Sequence, residues 1–428
     1  MKPNSTVEKI LNFVKRLIPR KLFKKIQPVY HYLLALLSAL IYRFPSRHIK
    51  VVVVTGTKGK TSTAEIINAI LEEAGYKTAL AGTLRFKVGD QEERNLFKMT
   101  MPGRFFVQNF LRRAVNAKCE WAVLEMTSEA AKVFRHKFIS LNSLVFTNLS
   151  PEHIESHGSF ENYKNAKLSL ARALASSPKR PRILVVNADD PHAKDFLACD
   201  ADIKKTYSIK DAEPYKIEKN KTVFSFNGTP LEAHLYGIFN VSNMLAGISF
   251  ARALGISNDI IRHALGKFKG IRGRVERVNA GQDFDVIVDY AHTVDSLEKV
   301  YGVFKGTRKI CILGGTGGGR DSGKRPAMGR VASLHCDKII LTDEDPYDED
   351  PKKIVSDILA GIEKGKAEII MDRRQAIAKG IKYAQKGDAV IITGKGTDPY
   401  IMQANGNKTP WDDADVAREE LVKAGFKK

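Results

Sequence analysis

IKVVVVTGTKGKTSTAEIINAILEEAG, residues 49–75, decides how the rest of the chain is read. Four consecutive valines make a strand that is apolar on both faces, as strands in the middle of a parallel sheet are. The run stops at Gly56, and beyond Lys60 the apolar residues return at helical spacing until a glycine C-cap at Gly75. A buried strand, a glycine turn and a helix N-terminus together offer backbone N–H groups and a helix dipole to an anion. Gly56, Thr57, Lys58 and Gly59 would wrap phosphates, with Ser62 in the same cradle. Lys60 would reach the outer phosphate, and the Thr61 hydroxyl would ligate Mg²⁺. Val54 stands where the first glycine of the full G-x-x-x-x-G-K-[ST] pattern belongs, so the motif is shortened. On its own it also fits a plain glycine turn before a helix.

Working outward, WAVLEMT (121–127), LVFTNLS (144–150), RILVVNADD (182–190) and VIVDYAH (286–292) read as strands ending in polar residues. KICILGGTGGG (309–319), KIILTDEDP (338–346), AEIIMD (367–372) and DAVIITGKG (388–396) continue the pattern. Strands alternating with helices give an α/β class. The expected organisation is a central P-loop-like, mostly parallel sheet domain over 49–270 and a Rossmann-like domain over 271–428. They meet near KFKGIRGRV (267–275), with ligands at the carboxyl ends of the strands.

Upstream, residues 1–48 form a basic and apolar segment. VEKILNFVKRLIPRKLFKKI (7–26) carries apolar residues at helical spacing between cations, interrupted by Pro19, and PVYHYLLALLSALIY (28–42) has no charged residue. That run is shorter than the ~20 apolar residues of a spanning helix. Two readings stand: a helix packed on the body or on a second subunit, or an in-plane or re-entrant membrane anchor whose Arg16, Lys21, Lys24, Lys25, Arg43 and Arg47 meet anionic head groups. No small-residue cleavage site marks it as a signal peptide. The net charge of +21 is concentrated here: residues 1–50 hold eleven Lys/Arg against Glu8 alone. The rest of the chain shows no aromatic-interleaved basic stripe, so a nucleic-acid partner is not expected. Hydrophobic residues at 43% and charged residues at 27% describe an ordinary globular chain. Cys119, Cys199, Cys311 and Cys336 show neither a C-x-x-C pair nor a disulfide framework, which points to a reducing compartment.

Three further segments bear on the phosphate turn. Glu125 ends a strand and is placed to bind a cation; His153 offers a second ligand, with Lys167 on a following helix; Arg274 in GRVERV would bring positive charge to a triphosphate. Singly, each has a plain reading as a surface acid, a capping histidine or a solvated cation. Together TGTKGKTST, FTNLSPEHIESHG, YGIFNVSNMLA, GRVERV, VDYAHTVDSLEKV, GGRDSGKRPAMG, DEDPYDEDP, GDAVIITGKG and WDDADVA resemble the Mur ligase family over about residues 50–428. These are ATP-dependent amide-forming enzymes of peptidoglycan precursor synthesis. The tripeptide synthetases, which add the third residue of the stem peptide, are the most similar type. Folylpolyglutamate synthases share the ATP loop, but GKRPAMG and DYAHTVDS look like the Mur side.

The resemblance implies ATP and Mg²⁺ as cofactors and a carboxylate activated as an acyl phosphate, which the amine of an amino acid then attacks. It implies Lys60 and Arg274 on phosphoryl charge, and Thr61, Glu125, His153 and Lys167 at the metal, with Lys167 carbamylated. Asn240 and Asn243 match the adenine-contacting pattern, Asp289 and His292 a nucleotide-facing segment, Thr100 and Ser128 the muramoyl end, and Arg320 an α-carboxylate site. Two departures stand out. The D-N-P-R string of diaminopimelate-adding members appears as Glu344-Asp345-Pro346-Tyr347, and G-K-G-H-E as Gly394-Lys395-Gly396-Thr397-Asp398. A pocket with Glu344, Asp345 and Asp398 and without that arginine should favour lysine or ornithine. Glu129 also replaces the histidine that usually follows Ser128. Residues 1–48 show no strand pattern for the family's UDP-binding N-terminal domain. The acceptor is therefore expected to be a muropeptide, UDP-linked or lipid-linked, in the cytoplasm or at the inner face of the membrane. Competing readings are ligation to another acidic acceptor, such as a polyglutamyl or cofactor peptide, and an inactive membrane-associated scaffold.

Overall fold

The computed structural model describes residues 20–152, 154–218, 221–319 and 322–427. His153, Arg320 and the segment 1–19 lie outside the described residues. The chain divides into two compact units. One comprises residues up to 215 with 224–232 and 240–268; the other comprises 216–223, 233–239 and 269 onward.

The first unit is built on an eight-stranded sheet. Its strands are β1 (Lys50–Thr55), β2 (Thr78–Ala81), β3 (Arg85–Val88), β4 (Gln91–Arg94), β5 (Trp121–Glu125), β6 (Ser143–Phe146), β7 (Ile183–Asn187) and β8 (Ile203–Tyr207). The order is β4-β3-β2-β5-β1-β6-β7-β8. β1 is central, parallel to β5 on one side and β6 on the other, which is why its valines are fully buried. Only β3 runs against the other strands, paired antiparallel with β2 on one side and with β4 at the edge on the other. The register sets Val54 opposite Glu125 and Thr55 opposite Phe146. The ends of β1, β5 and β6 therefore open at one level, where a doubly wound sheet binds its ligands. The Arg20–Ile41 helix packs on the Arg104–Asn116 helix, and Arg112 fastens its end by donating to the carbonyls of Tyr42 (2.9 Å) and Arg43 (3.1 Å). No helix among the described residues is long and apolar enough to cross a membrane.

After a separate three-stranded sheet of β9 (Tyr215–Ile217), β10 (Thr222–Phe226) and β11 (Thr229–Ala233), the second unit has a six-stranded sheet. It contains β12 (Glu276–Arg277), β13 (Asp285–Asp289), β14 (Lys309–Leu313), β15 (Lys338–Leu341), β16 (Ala367–Ile369) and β17 (Ala389–Thr393), in the order β12-β13-β17-β14-β15-β16. All but β12 are parallel. A short β18–β19 ribbon (Tyr400–Met402, Lys408–Pro410) follows. Cys311 on β14 and Cys336, just before β15, are disulfide-bonded in its core. This corrects the expectation, drawn from the spacing, of no disulfide, on which the reading of a reducing compartment rested. The spacing hid the pair because 25 residues separate two positions that neighbouring strands bring together.

His136, in the loop before β6, makes the first unit acid-sensitive. It is 1% exposed, and neither ring nitrogen has a hydrogen-bond partner. Burial, with a smaller contribution from Lys137, pushes its pKa down to about 4. The native state therefore binds fewer protons than the unfolded chain between about pH 4 and 6.5. Stability is full above that window and is lost as pH falls through it, by about 3 kcal/mol in all. Urea midpoints at pH 7.5 and 4.5 should differ accordingly, and His136→Leu should shrink the difference.

Candidate active site

At the end of β1 the chain turns through Gly56 (φ 151°) and Gly59 (φ 80°), backbone regions that favour glycine. Space demands glycine as well: a Cβ at Gly56 would collide with the Thr147 hydroxyl, and one at Gly59 with the Asn243 carboxamide. The Lys60–Glu73 helix starts at once, with no acidic residue in its first turn, so its amide-rich end faces the loop. Asn148 clamps the turn, accepting from the Lys58 N–H at 2.9 Å while its own carbonyl accepts from the Thr57 N–H at 2.8 Å. Lys60 Nζ donates to the carbonyls of Gly56 (3.0 Å) and Thr57 (2.9 Å), which holds its ammonium over the loop. Ser62 is buried on the helix behind it, and Lys58 pairs with Glu152 at 2.6 Å.

Glu125 is 2% exposed and sits at the centre of this cluster. Its Oε1 accepts from the Thr61 hydroxyl at 3.0 Å, while its Oε2 accepts from the Thr83 N–H at 2.9 Å and hydroxyl at 3.0 Å. The Thr83 hydroxyl is in turn 2.9 Å from that of Thr100. Thr61 thus meets Glu125 directly and Thr100 joins them through Thr83, a residue the sequence reading missed because no motif marks it. A carboxylate beside a hydroxyl at a phosphate loop could hold Mg²⁺, with phosphate oxygens and water filling the rest of its shell. Among the described residues no group of three or more His, Cys, Asp or Glu gathers.

Lys167 is 1% exposed, and its Nζ donates to the Gly56 carbonyl at 2.6 Å and lies 4.8 Å from the Tyr163 ring centre. Burial first, then the charge of Lys60, drives its pKa well below the usual lysine value. Tyr163, one turn earlier on the same helix and also missed, ties back to the loop through a 2.8 Å contact between its hydroxyl and that of Thr57. Ser128 Oγ is 3.1 Å from His157 Nε2, which also lies 3.0 Å from Glu129 Oε1. Asn243 donates to Asn240 at 3.1 Å, both buried in the Ile238–Ala253 helix.

The remaining candidates belong to the second unit. Arg274 Cζ lies 4.6 Å from the Tyr290 ring centre, and its Nη1 donates to the Gly273 carbonyl at 2.9 Å. Asp289 accepts from the N–H groups of Val275 and Ala291, both at 2.7 Å, and His292 Nδ1 is 2.7 Å from the Tyr290 carbonyl. The three acids expected to line a pocket for a cationic side chain are arranged differently. Asp345 takes Lys395 Nζ on both oxygens at 2.8 Å, and Asp398 reaches the same ammonium at 3.4 Å. Lys395 is fully buried and also donates to the Tyr400 carbonyl at 2.6 Å. Glu344 accepts from the Thr316 hydroxyl at 2.8 Å, and its other oxygen is buried without a partner against Gly394. Burial raises the Glu344 pKa toward its neutral form. Lys395 therefore offsets one of the acids the sequence offered, and Asp345, Lys395 and Asp398 together carry a formal charge of about minus one, with Glu344 beside them. Tyr347 (φ 52°) follows, its N–H bonded to the Met402 carbonyl at 3.1 Å. Arg373 is committed to Asp413 at 2.7 Å and 2.8 Å.

Comparison with known proteins places both halves. Residues 54–251 match the Mur ligase middle domain, and residues 273–396 match the Mur ligase, glutamate ligase domain. A UDP-N-acetylmuramoyl-L-alanyl-D-glutamate--2,6-diaminopimelate ligase of Syntrophomonas wolfei subsp. wolfei is 38% identical over 91% of this chain and 81% of its own. A UDP-N-acetylmuramyl-tripeptide synthetase of Roseiflexus sp. is 37% identical over 92% and 82%. Among solved structures, a UDP-N-acetylmuramoyl-L-alanyl-D-glutamate--2,6-diaminopimelate ligase aligns with a TM-score of 0.62 at 29% identity, covering 88% of this chain and 79% of that one. With matches that run through the phosphate loop, the Glu125 cluster and the second sheet alike, the chain belongs to the Mur ligase family.

Proposed function

We propose that this Mur ligase adds an amino acid with a cationic side chain, lysine or ornithine, to the free carboxylate of a muropeptide acceptor. As a family member it is an ATP-dependent, ADP-forming ligase of peptidoglycan precursor synthesis. The observation that carries the finer reading is the Asp345–Lys395–Asp398 cluster, which keeps about one negative charge beside Tyr347. A side-chain ammonium can settle against that charge, whereas the second carboxylate of diaminopimelate would meet it without an arginine to grip. Arg320 is assigned to the α-carboxylate of the incoming amino acid.

The acceptor carboxylate attacks the γ-phosphorus of ATP, ADP leaves, and the amine then displaces phosphate from the acyl phosphate. Positioning and charge do most of the work in such transfers. Lys60 and Arg274 neutralise phosphoryl oxygens, Asn240 and Asn243 face the base, and Asp289 and His292 shape the nucleotide-facing turn of the second unit. Thr100 and Ser128 hold the acceptor. Thr61, Glu125, His153 and Lys167 would hold Mg²⁺, which supplies charge neutralisation between the phosphates. Burial lowers the Lys167 pKa and so favours the neutral amine that would react with CO₂, and the resulting carbamate would give the metal an anionic oxygen. A carbamate carbon signal in ¹³C-bicarbonate, lost in Lys167→Arg, checks that assignment. Use of ATP places the work in the cytoplasm.

The selecting experiment is a phosphate-release screen of lysine, ornithine and meso-diaminopimelate against UDP-linked and lipid-linked muramoyl dipeptide. Lysine or ornithine should lead by at least about tenfold in kcat/KM, an ordinary margin for one charged contact. Turnover with diaminopimelate alone would overturn the selectivity while leaving the ligase assignment standing.

A further inference from the structure

The Arg20–Ile41 helix spends only one side on holding the first unit together. Ala35, Ser38 and Ala39 are buried there, and Tyr32 meets Phe138 edge to face at 5.1 Å. Along the other side Val29, Leu33, Leu37, Leu40 and Ile41 are between 47% and 61% exposed. Their spacing of three to four residues lines them along one stripe. Single exposed apolar residues are ordinary, but a continuous stripe of them marks a surface that something covers.

Charge decides what that is. From Lys9 to Ala64 the sequence contains no Asp or Glu, while Arg20, Lys21, Lys24 and Lys25 open the helix and exposed Arg43 and Arg47 follow it. A second copy of the chain would bring the same cations to the contact and be repelled. Residues 1–19, with Lys9, Lys15 and Arg16, would meet the same objection. The occupant must be apolar and negatively charged together, and the interfacial layer of an anionic bilayer is both. The helix is not apolar enough to cross it.

We propose that this helix lies in the plane of an anionic lipid bilayer, with Val29, Leu33, Leu37, Leu40 and Ile41 inserted and the flanking Lys and Arg residues on the head groups. The docking does not depend on the ligase reading. One consequence does rest on it: the supporting Arg104–Asn116 helix begins four residues after Thr100, so docking would hold the acceptor side of the site at a fixed position relative to the membrane.

The test is flotation of the full chain with phosphatidylglycerol/phosphatidylcholine vesicles and with phosphatidylcholine alone. Binding to the anionic vesicles should be at least about tenfold stronger and should weaken with salt. The variant L33D/L37D/L40D should lose about tenfold or more of it, with its thermal midpoint and its ADP release on a soluble acceptor unchanged. R43E/R47E, which leaves the stripe intact, should also weaken binding about tenfold. Equal binding to both vesicle types, or no binding to either, would overturn the proposal. So would binding that survives the triple substitution, since residues 1–19 would then be responsible. An oligomer that the same substitutions disperse would assign the stripe to a second copy and overturn it too.

Discussion

Glu125→Gln is expected to lower amino-acid-dependent ADP release about 10³-fold at saturating ATP, the scale of losing one preorganised charge-stabilising group. The replacement keeps the shape and removes the charge. It also puts an amide N–H₂ where Thr61 or Thr83 already donates, so two donors would face each other. The thermal midpoint should move far less than the rate, because the ends of β1 and β5 stay paired through the backbone. Activity within tenfold of the parent would remove Glu125 from the metal assignment. Thr83→Val, which leaves the carboxylate but deletes one of its donors, should cost about tenfold, the worth of a single hydrogen bond to a charge.

Lys395→Met is expected to destabilise the second unit by about 3–5 kcal/mol, because it leaves Asp345 buried opposite no cation. Asp345 is 4% exposed, so water cannot take the place of the ammonium. The check is the urea midpoint of the single variants and of Lys395→Met/Asp345→Leu. The double variant should recover much of the loss, since replacing both members of a buried pair with apolar groups is far cheaper than removing one. Equal loss in single and double variants would mean that the pair supplies net attraction beyond mutual neutralisation.

These two sites show where sequence reading reaches and where it stops. The core of the fold was legible because β1 writes its burial into four adjacent valines and its turn into two glycines with no room for a side chain. The β3–β4 hairpin was not, because RFKVGDQEER has only weak alternation at an exposed edge. At the phosphate loop a local motif gave Lys60 and Thr61, and strand-end position gave Glu125. Thr83 and Tyr163 act through contacts 42 and 106 residues apart in sequence, which no local pattern encodes. In the second unit, Asp345 and Asp398 were identified one at a time as free charges. Lys395, standing in the same quoted GKG string, joins them across 50 residues and changes the sum. Net charge in a pocket is a property of the folded cluster, and a residue list cannot give it.

The hydroxyl chain from Thr61 through Glu125 and Thr83 to Thr100 has a polarity of its own. A hydroxyl has one proton to give, and a carboxylate only accepts. Thr61 and Thr83 both direct theirs at Glu125, so Thr100 must send its proton to Thr83. Every proton in the row therefore runs inward, and the outer faces of Thr61 and Thr100 show lone pairs. At one end those electrons suit a cation; at the other they suit an amide N–H of a peptide, and a carboxylate or carbonyl oxygen would find nothing to hold.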